Sequence, residues 1–322
     1  MASVTLTING QKAIVPSGIT VLEAAEMCGY SVPTFCHEKD LTAPGACRIC
    51  VVEIKGWRNL PPSCVTTVAE GMEVETESPA VIEARKTILE LLVANHPLDC
   101  MTCEKSGNCK LQDYAYRYGV SSPTPYEGEK KQFAVDDSNP YIYRDSNKCI
   151  LCGKCVSTCK AVADRSIIDY AFRGFNTKIA TFMDTDLKDS SCVYCNRCVA
   201  ICPVGALTDR NMMGKGRIWE YEKDEVTCTF CDSGCKFDVN YKNGEVIGVT
   251  AKNPSAGRPL CLKGRLGTEF IKNPDRTDLP LVNKNGEFIP VSWEEALGIA
   301  PIVEKINALK CRKERELKCL ST

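Results

Sequence analysis

At 322 residues the chain is long enough for two to four small domains. Its 40 basic and 41 acidic residues leave a formal net charge of −1, which argues against a nucleic-acid or anionic-membrane surface as the main partner. The apolar stretch around residues 88–94, interrupted by Glu90, is too short to span a bilayer, and the start MASVTLTING has no basic region, apolar region or twin arginine of an export signal, so the expected compartment is the cytoplasm.

Residues 1–80 predict a small α+β unit. "VTLTINGQKAIV" alternates apolar and polar residues on both sides of Asn9-Gly10, a type I′ hairpin signal. "TVLEAAEMCG" predicts a short helix with Thr20 and Glu23 as a capping box and Gly29 as its stop. "CRICVVEIK" and "MEVETES" predict further strands. Hairpin, helix and strands in that order outline a ubiquitin-like β-grasp.

Residues 81–122 predict a helical unit. Val81, Ile82, Ala84, Ile88, Leu91 and Leu92 recur at helix period, Pro97 ends the run, and "SGNCKLQDYAYRYG" predicts a second, shorter helix. Residues 121–140 are rich in Pro, Ser and charge and predict a linker. Residues 138–216 contain an internal repeat at an offset of 43, seen in "CILCGKCVSTC" and "CVYCNRCVAICP". Residues 221–276 predict short strands around Asn243-Gly244, and residues 277–322 a tail with one terminal helix, capped by Ser292 and Glu295 and kinked at Pro301.

Twenty-two cysteines are the compositional outlier, against two histidines. In a long, unexported chain, cysteines gathered at CxxC spacing are metal ligands before they are disulfides. Cys149, Cys152, Cys155 and Cys159 are spaced C-x2-C-x2-C-x3-C, as are Cys192, Cys195, Cys198 and Cys202. Three thiolates at i, i+3 and i+6 fit three corners of an iron–sulfur cube, and in two-cluster ferredoxins the fourth cysteine of each run ligates the other cube. The expected sets are therefore Cys149, Cys152, Cys155 with Cys202, and Cys192, Cys195, Cys198 with Cys159. Cys202 is followed by Pro203 but Cys159 by Lys160, so only one half keeps the Cys-Pro ending.

Cys36, Cys47, Cys50 and Cys64 lie as C-x10-C-x2-C-x13-C, with a glycine-containing loop able to wrap a [2Fe–2S] cluster held by two thiolates per iron. His96, Cys100, Cys103 and Cys109 lie as H-x3-C-x2-C-x5-C, and Cys228, Cys231, Cys235 and Cys261 as C-x2-C-x3-C-x25-C. Zinc accepts four-thiolate and three-thiolate, one-imidazole sets as well, so a zinc-binding structural module is the alternative of another class. His37 reads as a solvated loop residue and Cys28 as core, while Cys311 and Cys319 in the charged tail show no ligand partners.

These spacings, in this order, resemble the iron–sulfur part of the G subunit of NADH:quinone oxidoreductase, the electron-transfer domains of iron-only hydrogenases and the cytoplasmic NAD-linked formate dehydrogenases. The resemblance covers residues 1 to about 300. It implies an α+β multidomain chain: a β-grasp [2Fe–2S] ferredoxin over 1–80, and a small helical [4Fe–4S] domain with one histidine and three cysteine ligands over 81–122. A two-[4Fe–4S] ferredoxin-like domain over 138–216 and a small β-rich [4Fe–4S] domain of molybdopterin-oxidoreductase type over 221–276 follow. The implied cofactors are one [2Fe–2S] and four [4Fe–4S] clusters. Lys263 matches the lysine that lies between cluster and pterin in the last family.

No G-x-G-x-x-G or Walker A loop is present, and "GKGR" at 214–217 reads as a turn. About 60 residues after Cys261 are too few to enclose a pterin, so no molybdopterin is expected, and flavin is expected only on a partner subunit. The expectation is an oxidoreductase subunit without a substrate site or catalytic residue of its own. It would carry electrons to or from an NADH-oxidising FMN/iron–sulfur flavoprotein, with an NADPH-binding flavoprotein, ferredoxin, or a hydrogenase or formate dehydrogenase subunit as the further partner. Flavin-based electron bifurcation in a transhydrogenase-like complex of an anaerobe fits this pattern; an NAD-linked hydrogenase or formate dehydrogenase complex is the alternative.

Overall fold

The computed structural model describes residues 2–267, 277 and 279–319, with side chains through 310. The chain forms two compact units, residues 1–267 and 268–322. The expected domain boundary near 276 and the side chains of Cys311 and Cys319 lie outside the described residues.

The first unit opens with a four-stranded sheet of order β2-β1-β4-β3. Strands β1 (Ser3–Ile8) and β2 (Gln11–Pro16) form the expected hairpin, with Asn9 and Gly10 at φ 48° and 78°. Helix α1 (Val21–Met27) carries the full Thr20/Glu23 capping box, and Gly29 at φ 82° follows its end. Strand β4 (Glu73–Glu75) runs parallel to β1 and antiparallel to β3 (Glu53–Ile54). Leu6, Ile8, Val21, Leu22, Val52 and Val74 fill the core under the sheet. The expected strand over "CRICVVEIK" shrinks to β3 because the chain through Cys47–Cys50 is turned, with Arg48 at φ 59°.

Helix α2 (Pro79–Asn95) starts at the Ser78 cap and ends on His96. Its buried stripe is Val81, Arg85, Leu89 and Val93, an i, i+4 row, while Ile82 and Leu91 of the expected apolar face are exposed. The stripe is rotated because a fully buried arginine occupies its centre. Arg85 donates to Glu77 (2.9 Å), Tyr118 (2.8 Å) and the Val51 carbonyl (2.8 Å), tying the first sheet to the helical segment. Helix α3 (Lys110–Arg117) is the expected shorter helix.

Residues 121–140 are not a free linker. Thr124, Asp136 and Asn139 are buried there. The Lys131 N–H donates to Asn95, the Phe133 N–H to Asn147, and Asp136 pairs with Arg144 through backbone and side chain. The segment is a strap, polar in composition because its polar groups are satisfied internally.

Two short antiparallel pairs follow, β5 (Ile142–Arg144) with β8 (Leu207–Asp209) and β6 (Ile168–Ala171) with β7 (Lys178–Thr181). Between them lie helices α4 (Lys154–Ala161) and α5 (Arg197–Ile201). The sequence repeat is also a backbone repeat. Leu151 and Tyr194 have φ of 55° and 52°, and the helix N-caps Gly153 and Asn196 have φ of 75° and 63°. Strands β9 (Glu222–Thr227), β10 (Lys236–Lys242) and β11 (Glu245–Ala251) form a three-stranded sheet, turned at Asn243-Gly244, and the short helix α6 (Leu262–Leu266) follows Cys261.

The second unit holds the hairpin of β12 (Leu281–Lys284) and β13 (Glu287–Pro290), then α7 (Trp293–Ala296) and α8 (Ala300–Cys319). Ser292 caps α7, but the expected single helix is two. The chain breaks at Gly298 (φ 67°), and Pro301 sits in the first turn of α8, where proline is tolerated, rather than at a kink. No described helix is long and apolar enough to cross a membrane.

Candidate metal centres

All twenty cysteines whose side chains are described are free thiols. In the first set, Cys50 and Cys64 have sulfurs 3.4 Å apart, far beyond a disulfide bond, and the Cys36 thiol interacts with those of Cys47 and Cys64. Packed together, these thiols do not ionise independently. Bonds from Cys47 and Cys64 pull the Cys36 thiol far down, the bond from Cys64 pulls Cys50 down to about 6, and the bonds to Cys36 push Cys47 and Cys64 up. Backbone N–H groups of Ala46 and Cys47 also point at the Cys36 sulfur. The turned loop thus supplies donors for a thiolate.

In the second set, Cys109 is the N-cap of α3 and Cys103 is buried. Burial pushes the Cys100 and Cys109 thiols up, with the neighbouring thiols of the set adding to it. His96 is 8% exposed, and burial pushes its imidazole down, toward the neutral form that ligates metals. Its Nδ1 accepts from the Leu98 N–H, and its buried Nε2 has no hydrogen-bond partner. A buried ring nitrogen left without a partner beside three cysteines fits a ligand atom. Arg217 clamps this loop by donating to the Cys103 and Met101 carbonyls, both at 2.6 Å.

The third set lines a cavity of about 40 Å³ that contains Cys149, Cys152, Cys155 and Cys202 in its wall. Burial pushes Cys149 up to about 11 and Cys152 to about 12, and Cys202 adds to the rise in both. Cys155 is raised further, again by burial first and Cys202 second. The fourth set shows the reciprocal association: burial raises Cys198 and Cys192, and Cys195 and Cys159 act on both. The repeat extends to the sulfurs. The Leu151 N–H donates to Cys149 Sγ and the Tyr194 N–H to Cys192 Sγ, both at 3.4 Å.

The fifth set is the loosest. The Cys228 N–H donates to the Cys235 carbonyl at 2.8 Å, and Cys261 is the N-cap of α6. Cys231 and Cys261 are exposed. A hydrogen bond from Ser233 lowers the Cys231 thiol. A Cβ at Gly264 would lie 3.5 Å from Cys228 Sγ, which places α6 against that sulfur. Among the described residues, no three His, Cys, Asp or Glu side chains converge as a single metal ion requires.

The sets are in mutual contact. Gly205 packs on the second set so closely that a Cβ there would stand 2.6 Å from Cys103 Sγ, and the Lys110 N–H donates to the Pro203 carbonyl at 2.9 Å. Lys148, next to Cys149, pairs at 2.7 Å with Asp99, which precedes Cys100 of the second set. Lys154 of α4 pairs with Glu38 of the first loop at 2.6 Å. Arg265, 3% exposed, pairs with Asp209 at 3.0 Å and donates to the Tyr194 carbonyl at 2.8 Å. None of these basic residues was singled out by sequence reasoning. For Lys154 its place inside the C-G-K-C run is a sequence signal; Lys148 and Arg265 lie outside such runs.

Fold and sites together define a multidomain α+β iron–sulfur protein. Four family models tile it: a 2Fe-2S iron-sulfur cluster binding domain over 1–79 and the NADH-ubiquinone oxidoreductase-G iron-sulfur binding region over 85–124, then the NADH-quinone oxidoreductase subunit 3 ferredoxin-like domain over 139–208 and the molybdopterin oxidoreductase Fe4S4 domain over 222–273. The chain belongs to the family of the iron–sulfur N-terminal region shared by NADH-quinone oxidoreductase G subunits and NAD-reducing hydrogenases. It is 38% identical over 297 residues to the second NADH-quinone oxidoreductase G subunit of Rhizobium meliloti strain 1021, covering 91% of this chain and 34% of that one. It is 36% identical over 300 residues to the NADPH-Fe(3+) oxidoreductase alpha subunit of Geobacter sulfurreducens, covering 92% and 34%. The chain thus spans about a third of the length of these relatives. A chain in the crystal structure of an NAD+-reducing [NiFe]-hydrogenase in the H2-reduced state superposes with a TM-score of 0.62 at 33% identity, covering 67% of this chain and 92% of that one.

Proposed function

We propose that the chain is the iron–sulfur electron relay of an NAD(P)H-linked oxidoreductase complex. The observation that carries this reading is the exchange of fourth cysteines: Cys202 of the second run stands in one cavity wall with Cys149, Cys152 and Cys155 of the first, and Cys159 of the first run acts in turn on Cys192 and Cys198 of the second, where Cys202 also reaches Cys198. That exchange is the mark of two adjacent cubes rather than of zinc knuckles. The close sulfurs of the first set, Cys36 with Cys47 and Cys50 with Cys64, suit the two irons of a [2Fe–2S] cluster. His96 with Cys100, Cys103 and Cys109 would hold a [4Fe–4S] cluster through Nε2, and Cys228, Cys231, Cys235 and Cys261 another. When bound, the clusters supply one-electron transfer. The chain's own residues shield them, aim N–H donors at the sulfurs and hold neighbouring sets in contact through Lys148, Lys154 and Gly205.

Single-electron carriage serves a two-electron donor split by a flavin on another subunit, and both sequence relatives are named for NADH or NADPH oxidation. A reducing compartment such as the cytoplasm suits this many free thiols. Anaerobic purification, iron and zinc analysis and EPR of the reduced chain test the reading. About 18 irons per full chain are expected; fewer than about four, or zinc in stoichiometric excess, would overturn it. Assays of the co-purified complex with NADH, NADPH, ferredoxin, hydrogen and formate then identify donor and acceptor. A requirement for two acceptors at once would extend the reading to flavin-based bifurcation.

A further inference from the structure

Lys154 and Arg197 occupy the same place in the two halves of the 43-residue repeat, each the first residue of its helix and each buried, at 3% and 4% exposure. Their surroundings differ. Lys154 is neutralised by Glu38. Arg197 donates to four main-chain carbonyls instead: Asn253 (2.6 Å), Ala256 (2.5 Å), Gly257 (3.1 Å) and Arg258 (2.5 Å). Among the described residues no carboxylate pairs with it. A buried guanidinium held only by neutral dipoles needs a counter-charge. The acidic groups that act on it electrostatically are the thiols of Cys195, in the fourth set, and Cys235, in the fifth.

We infer that Arg197 is a positioning residue that joins the fourth and fifth cysteine sets, its guanidinium folding the 253–258 loop onto α5 and supplying a fixed positive charge to the anionic clusters on either side. The inference rests on the cluster reading above. Two neighbouring contacts support the role of the loop as a joint. Thr158 of α4 donates to the Pro254 carbonyl at 2.8 Å, and Ser255 donates to Asp40 of the first loop at 3.2 Å. Lysine would keep the charge but lacks the forked donors that reach four carbonyls. A positive charge beside a cluster favours its reduced, more negative state, so removing it must lower the potential.

The test uses the full chain, metal-free and loaded under anaerobic conditions, as parent, Arg197→Met, Arg197→Lys and Glu38→Gln. Hydrogen exchange at residues 253–258 is read on the metal-free chain and needs no iron. EPR-monitored redox titration is read on the loaded chain. Arg197→Met is expected to speed exchange in that loop at least tenfold and to shift the equilibrium of at least one [4Fe–4S] signal tenfold toward the oxidised form, which is 59 mV for one electron. Arg197→Lys is expected to speed the same exchange while keeping that potential within a few-fold. Glu38→Gln, which removes a negative charge at the repeat-related position, is expected to shift a signal the opposite way and leave 253–258 protected.

Unchanged exchange and unchanged potentials in Arg197→Met overturn the inference. So does an equal fall in potential in Arg197→Lys, since charge would then not be the cause. If Arg197→Met does not fold, the lysine variant and Glu38→Gln still decide: intact loop protection in the first, or loss of it in the second, refutes the joint. A parent chain without iron–sulfur signals refutes the cluster reading instead, and the exchange arm still judges the loop contact.

Discussion

The paired cysteine sets and the fifth set each open on a C-x2-C pair but stand in very different surroundings. Cys152, Cys155 and Cys202 are buried in the wall of a cavity, framed by α4, α5 and two strand pairs. Cys231 and Cys261 stand at the surface, on a short turn and at the start of a five-residue helix. The buried thiols are pushed up, whereas the Cys231 thiol is lowered by Ser233. The contrast teaches that spacing selects the donor set, while the packing around it decides how protected the site is and how its sulfurs titrate.

The largest expected effect comes from removing a fourth ligand. Cys202→Ala should cost about four irons per chain and abolish the signal of the set containing Cys149, while the signal of the set containing Cys192 survives. Loss of the Cys192 set instead would mean that each run closes its own cube. Cys261→Ala should also cost about four irons but leave the thermal midpoint of the metal-free chain unchanged, because the side chain is exposed.

Alkali separates the two regions next. In the metal-free chain the Cys149 and Cys152 thiols keep their protons to about 11 and about 12, while unfolded cysteines, with a reference value of 9.0, lose theirs. The unfolded state thus binds fewer protons above pH 9, and stability must fall as pH rises from about 9 to about 12, by a few kcal/mol in all. Chemical denaturation of the metal-free chain at pH 8 and pH 11 reads this directly. With clusters loaded the thiolates are already deprotonated, and the same interval should show a flatter profile.

Two glycines sharpen the comparison at a smaller scale. A Cβ at Gly205 would meet Cys103 Sγ at 2.6 Å, whereas at Gly264 it would meet Cys228 Sγ at 3.5 Å, an ordinary contact. Gly205→Ala should therefore destabilise by about 1–3 kcal/mol and weaken iron retention in the His96 set. Gly264→Ala, inside a helix, should be neutral or slightly stabilising. Equal losses from both would show that packing on the sulfurs is not what distinguishes them.

The smallest effect is kinetic. At pH 7.5 iodoacetamide should modify Cys231 of the metal-free chain well before Cys149 and Cys155, since its thiol is both exposed and lowered whereas theirs are enclosed and raised, and the accessible thiolate is the nucleophile. Ser233→Ala should slow the Cys231 reaction several-fold, read by peptide mass mapping. Faster labelling of Cys155 than of Cys231 would reverse the burial contrast.

Local signals were legible where they concern neighbours in sequence. The Asn9-Gly10 hairpin, the Thr20/Glu23 box and the break after Asn95 all express short-range geometry, and the structure reproduces them. Long-range partners were not. Arg85 lies on a helix whose apolar residues suggested a different face, and its burial depends on Val51, Glu77 and Tyr118, far apart in sequence. Arg197 looks like a solvated helix residue until the 253–258 carbonyls arrive. The single terminal helix failed because the periodic pattern conceals the Gly298 break between α7 and α8.

The strap over residues 121–140 bears on how chains of this kind can be recombined. A crossover placed there would look safe from composition, yet it would separate Lys131 from Asn95 and Phe133 from Asn147. Chimaeras cut inside the strap are therefore expected to express poorly unless both flanks come from one parent. The histidine segment and the paired sets should travel between genes as one cassette.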